Sequence, residues 1–246
     1  MDRRFLLTGA AAFLVTTPLG AQQIGDVLRA VAGQSGNGQG LPRGVSQADA
    51  EGGLRQALTN GAVAAVLKVG KLDGFWADGA IRIPLPGALG DVQRSLKPLG
   101  LSKPLDDLQL RINRGAETAA PKARDLFAKA IRSMTVEDVV GILRGGDNAG
   151  TVFLRRKTEQ DLSTQFRPNI ADALAQSGAL RAFERAVGQY GAAGLNGVTP
   201  RDTLVNFAVT KALDGLFHYV AAEERAIRSN PAKRTSDILR RVFGGL

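Results

Sequence analysis

A chain of 246 residues, 44% hydrophobic and 22% charged, has the make-up of a folded globular protein, long enough for one sizeable core. It has no cysteine, which excludes disulfides, thiolate metal sites, cysteine nucleophiles and lipidation of an N-terminal cysteine. The formal charge of +9 gives a basic bias, while 10 Phe, 2 Tyr and 1 Trp are too few for ring stacking to dominate recognition.

Arg3-Arg4 precedes an apolar run from Phe5 to Val15, too short to span a bilayer and suited to a signal segment. Small residues near Ala21 set a cleavage site, so residues 1–21 read as a signal peptide and the chain as periplasmic. The paired arginines fit twin-arginine export, but ordinary secretory signals carry such pairs too, and both routes stay open. Ile24, Val27, Leu28 and Val31 predict a short helix and Gly33–Gly40 a flexible linker, so 22–45 form a lead-in to one helical domain over 46–246.

Ser46 and Asp49 open a helix whose Leu54, Leu58, Ala62, Ala65, Val66 and Val69 share a side. Gly70 to Pro86 is irregular. Ile81, Ile83 and Leu85 alternate with Arg82, Pro84 and Pro86, a strand-like pattern that the prolines demote to an isolated arm. That arm is expected to lay its Ile and Leu side chains on the helical core, with Trp76 near its root. Short helices follow at Leu89–Leu96 and, after Ser102, a long one to Ala119, interrupted at Pro121 and resuming through Ile131. Thr135 to Asp138 resembles a capping box, Gly145-Gly146 a stop, and Asp147 or Asn148 a new start. Pro168 is read as beginning another helix that ends near Ser177-Gly178, and Leu180, Phe183, Val187 and Tyr190 as one more.

Thr199, Pro200 and Pro231 bracket the longest apolar-rich helix. It is apolar nearly all round, as buried helices are, apart from one line formed by Lys211, Asp214 and His218. Ile238, Leu239, Val242 and Phe243 close the chain with a short helix. The class is all-α: a single multi-helix domain around a buried C-terminal helix, with one short extended Ile/Pro-rich arm.

Several stretches, taken together and in order, resemble the bacterial DUF4197 family: Gly53–Gly61 (GLRQALTNG), Asp73–Trp76 (DGFW), Ile81–Pro86 (IRIPLP), Asn113–Glu117 (NRGAE), Thr151–Phe153 (TVF) and Lys211–Phe217 (KALDGLF). The resemblance spans nearly all of the chain after residue 53. It implies a mostly helical fold and an export signal, and brings no activity, ligand or catalytic residue.

Lys211, Asp214 and His218 form the leading polar constellation. They read either as part of a ligand pocket or as a partly shielded ion pair that steadies the helix, with Gly215 letting a neighbouring helix approach. Asn113, Arg114 and Glu117 form a second polar face. Arg114 could bind a carboxylate or phosphate, or simply pair with Glu117. Trp76 joins these six as a candidate ligand contact. Glu223, Glu224, Arg225 and Arg228 read as a solvated terminal face.

No HExxH, GxSxG, Walker A or dinucleotide fingerprint occurs, and one His cannot build a His-rich metal site, so no catalytic residue, metal or cofactor is assigned. The reading that follows is a non-catalytic envelope module for a small apolar or anionic ligand or an envelope protein. Its alternative is a cofactor-free hydrolase working through carboxylates. Arg225 to Leu246 holds six basic residues against Asp237, or +5, and offers a contact for an anionic lipid surface. Nucleic acid fits poorly with export and scarce aromatics.

Overall fold

The structure, a computed structural model, describes residues 45–178, 180–182 and 200–244. The predicted signal segment, the helix over 24–31, the linker and most of the helix expected over 180–190 lie outside these. Helix α1 (Gln47–Val69) starts where the Ser46 hydroxyl accepts the Asp49 N–H at 3.1 Å. Helix α2 (Gly87–Leu96) follows Pro86, and α3 (Lys103–Ala119) carries Pro104 in its first turn, where a missing N–H costs nothing. Pro121 turns the chain into one 3-10 turn before α4 (Ala123–Arg132) resumes. Thr135 and Asp138 exchange the two hydrogen bonds of a capping box at the head of α5 (Val136–Arg144). Helix α6 (Ala149–Ala175), α7 (Pro200–Ser229) and α8 (Asp237–Phe243) complete the all-α domain.

Helices α6 and α7 lie together at the centre. Helix α6 packs on α3, α4, α5 and α7, while α7 also meets α1 and α3, and α8 rests on α1. Ala208, Ala212 and Leu216 of α7 have no exposed surface, as its nearly continuous apolar pattern requires. The start expected at Pro168 is wrong, because α6 runs through it. Leu154, Thr158, Leu162, Phe166, Ile170 and Leu174 are all buried and four apart. Each step of four advances the stripe by about 40°, so it winds round the helix and meets several partners in turn. That burial outweighs the ~3 kcal/mol cost of an interior proline, whose ring sits on the exposed side.

No strand occurs among the described residues. Residues 70–86 form an arm with Ile81, Ile83 and Leu85 buried and Arg82 and Pro84 exposed, as the alternation predicts. Phe75 is also fully buried. A Cβ on Gly215 would come within 2.7 Å of the Phe75 ring and 3.1 Å of Ile81 Cβ. Gly215 therefore admits the arm onto α7, where the sequence suggested a neighbouring helix.

Candidate functional site

An extended segment without a partner strand must satisfy its backbone by other means. Helix α3 supplies them. The Asn113 side-chain oxygen accepts the Ile83 N–H at 2.9 Å, and its amide nitrogen donates to the Ile83 carbonyl at 3.0 Å. Gln109, one turn earlier, donates to the same carbonyl at 3.2 Å. A fully buried asparagine thus performs the paired bonding that a neighbouring strand would perform. One turn later, Glu117 Oε1 accepts the N–H groups of Phe75 and Trp76, both at 3.0 Å. Its Oε2 accepts from Arg114 at 2.7 Å, and Arg114 reaches on to Asp73 at 2.7 Å. Those two carboxylates, Glu117 above all, raise the Arg114 pKa against the opposing effect of desolvation. Asn113, Arg114, Glu117 and Trp76 therefore converge, the first three holding the arm to which Trp76 belongs. Half-buried Trp76 lies under the Arg82 guanidinium, 4.9 Å from its ring centre, and accepts a hydrogen bond from Arg82 at its carbonyl.

The outer side of the arm meets α7 through Asp78, which accepts a hydrogen bond from the Tyr219 hydroxyl. The Lys68 ammonium stands 3.8 Å above the Tyr219 ring. The Tyr219 bond holds the Asp78 carboxyl below its usual range. Partial desolvation opposes it, and the Ala80 N–H, Lys68 and His218 assist. The same bond raises the Tyr219 pKa. A depressed carboxyl pKa contributes stability above its unfolded value, and that contribution is lost as pH falls through the folded one. Tyr219→Phe should accordingly move the Asp78 titration upward, as read by carboxyl NMR. An unmoved titration would show that the phenol does not hold this carboxylate.

Lys211, Asp214 and His218 share a line on α7, as expected, but the line faces solvent. Lys211 and Asp214 stand 3.5 Å apart with side chains 45% and 40% exposed, and Asp214 is held more closely by Arg155 of α6, at 2.8 Å. His218 is exposed and meets Tyr219 edge-on at 5.0 Å. The expectation of a shielded pair is thus corrected. Water screens these charges, and Asp214→Ala should lower stability by about 1 kcal/mol or less in a thermal melt. A larger loss would mean that Arg155 depends on Asp214 for its placement.

Glu224 and Arg228 are the residues that sequence reasoning misplaced. Neither lies on a solvated face: their side chains are 7% and 10% exposed. Glu224 Oε2 accepts the Thr151 N–H and hydroxyl, both at 2.7 Å, and Oε1 accepts the Gly150 N–H at 2.9 Å. Arg228 donates to Oε1 from two nitrogens at 3.1 Å and to the Ile142 carbonyl at 2.8 Å. Asn148, at the head of α6, makes no capping bond, so Glu224 caps that helix from 73 residues away. A Cβ on Gly150 would stand 3.1 Å from Glu224 Oε1 and 2.5 Å from Leu58 Cδ2, so a larger residue there would crowd the carboxylate and push the Leu58 methyl aside. The sequence did hold the signal, since Val220, Glu224 and Ile227 continue the buried spacing of α7.

A groove of 530 Å³ runs between α3 and α6, lined among others by Arg111, Arg114, Thr118, Asn169, Asp172 and Gln176. Arg111 donates to Asp107 at 2.8 Å and to Gln176 at 3.3 Å. A guanidinium has five N–H groups. Arg111 and Arg114 each commit two of them to these side-chain partners, which leaves donors for a carboxylate or phosphate. No group of three His, Asp or Glu that could hold a metal ion occurs among the described residues. No described helix is long and apolar enough to cross a membrane.

These features describe an all-α domain that binds its own arm through buried polar side chains. The chain belongs to the DUF4197 family, described as "Protein of unknown function (DUF4197)", whose family model matches residues 44–244. No curated protein and no solved structure matches.

Proposed function

We propose that the chain is an exported envelope protein with a non-catalytic binding role, taking the anionic group of a small ligand in the α3–α6 groove. The observation that carries this reading is the commitment of the carboxylates. Glu224 is saturated by backbone N–H groups, the Thr151 hydroxyl and Arg228, and Glu117 is buried with both oxygens engaged by the Phe75 and Trp76 N–H groups and Arg114, so each is committed to holding the fold. Asp73 is paired with Arg114, and the Tyr219 bond holds the Asp78 carboxyl below its usual range, which suits Asp78 poorly to a general acid. The guanidiniums of the groove retain donors where those carboxylates retain no reactive role. Arg111 is the cleaner probe, because Arg114 also braces the arm.

The test is native mass spectrometry of protein purified from the periplasm. A retained anionic molecule is expected, together with its loss in Arg111→Gln at an unchanged melting temperature. Protein that retains nothing, yet hydrolyses envelope glycans or esters and loses that activity on Asp→Asn or Glu→Gln change, would establish the hydrolase instead.

A further inference from the structure

Helices that pack side by side fill the seam between them with their own side chains. Helices α1 and α4 leave part of theirs open. They run antiparallel. In the first half of α1, Arg55 donates to the carbonyls of Ile131, Arg132 and Met134, at and just past the end of α4. Gly70, at the foot of α1, lies against Pro121 just before α4 begins, where a Cβ would meet the proline ring at 3.2 Å. Beside that contact lies a trough of 210 Å³. Val63, Val66 and Leu67 line it from α1 and Pro121 from the turn, so its surface is mainly apolar. Val63, Leu67 and Gly70 share one line of the helix. Leu67 is 65% exposed, so no described element covers it.

The charged groups of the trough have one sign. Arg124 and Lys71 line it, and no carboxylate does. Unlike Arg114, Arg155 and Arg228, which each hold a carboxylate, neither cation has a hydrogen-bond or ion-pair partner among the described residues. The carboxylates nearest in sequence are placed elsewhere. Asp73 is paired with Arg114, and Asp125, next after Arg124, does not share its face of α4. An apolar floor beside unmatched cations is complementary to an anion with an apolar body. Size limits the occupant further. The trough has the liquid volume of about seven waters, at ~30 Å³ each, whereas a helix with its side chains is about 10 Å across. We propose that the α1–α4 trough binds a short alkyl carboxylate, its chain along Val63, Val66 and Leu67 and its carboxylate on Arg124, with Lys71 adding to the local positive charge. This site is separate from the α3–α6 groove and does not rest on it.

The test is a methyl NMR titration of the purified protein with butanoate, hexanoate, octanoate and decanoate. Saturable shifts are expected at Val63, Val66 and Leu67. Affinity should rise about two- to fourfold for each added methylene and level off once the chain outgrows the trough. Octanol, which lacks the charge, should bind about tenfold more weakly than octanoate. Arg124→Gln and Leu67→Ser should each weaken octanoate about tenfold, one by removing the cation and the other the apolar wall. Both side chains are exposed, so the melting temperature should stay unchanged. The absence of saturable shifts at these methyls, equal binding of octanol, or undiminished binding by Arg124→Gln overturns the proposal. So does octanoate binding that is lost in Arg111→Gln but kept in Arg124→Gln, since the carboxylate would then sit in the α3–α6 groove.

Discussion

Glu224→Ala is expected to destabilise the fold by about 3–5 kcal/mol, the range for removing one partner of a buried ion pair. Three losses coincide there. Arg228 keeps its charge in a site only 10% exposed, the N–H groups of Gly150 and Thr151 lose their acceptor, and so does the Thr151 hydroxyl. The melting temperature should fall by roughly 2–4 °C for each kcal/mol in a domain of this size. Glu224→Gln keeps an acceptor for the helix head and should lie between parent and alanine variant. The pair Glu224→Leu/Arg228→Met removes both charges but leaves the head of α6 uncapped, so it should recover only part of the loss. An alanine variant that melts like the parent would show that water replaces the carboxylate, and the cap would then be incidental.

Glu117→Ala should act on a smaller region with a distinct readout. It orphans the N–H groups of Phe75 and Trp76 and strips Arg114 of one carboxylate. Unsatisfied buried donors cost roughly 1–3 kcal/mol each, and a total of about 3 kcal/mol is expected after water recovers some of it. Because Trp76 is the only tryptophan, its emission reports on the arm directly. The variant should shift that emission to the red and open residues 73–86 to protease while the helices keep their ellipticity. An unshifted emission would mean that Asn113 and the buried Phe75 and Ile83 hold the arm without Glu117.

The ends of α7 were legible because prolines write them: Pro200 fits a first turn and Pro231 cannot follow the last. The capping box at Thr135 and the alternation of Ile81, Ile83 and Leu85 were legible for similarly local reasons. Pro168 misled because an exposed proline ring is tolerated when Phe166 and Ile170, two positions to either side, are fully buried, and that burial is decided by other helices. Glu224 misled for the same reason at longer range, since its partners lie 73 and 74 residues away. The Asn113, Arg114 and Glu117 face was identifiable as polar, but that it serves the chain's own arm follows only once Ile83, Phe75 and Trp76 are placed against it.

The arm's bonding by side chains also has a kinetic consequence. A hairpin strand finds its partner nearby, but this arm has none to find until α3 has formed and presents Asn113 and Glu117 at helical spacing. Its second mooring, Asp78 on Tyr219, spans 141 residues of sequence. Closing a loop of that length before any local contact repays it is slow. Docking of the arm therefore belongs to the native side of the folding barrier, after α3 and α7 have met. Substitutions at Ile83 or Asp78 should speed unfolding and leave the folding rate nearly unchanged, whereas truncations of Leu162 or Leu216 in the central pair should slow folding itself. Stopped-flow measurement of the two limbs separates these cases, and a slowed folding limb for an Ile83 variant would place the arm in the nucleus.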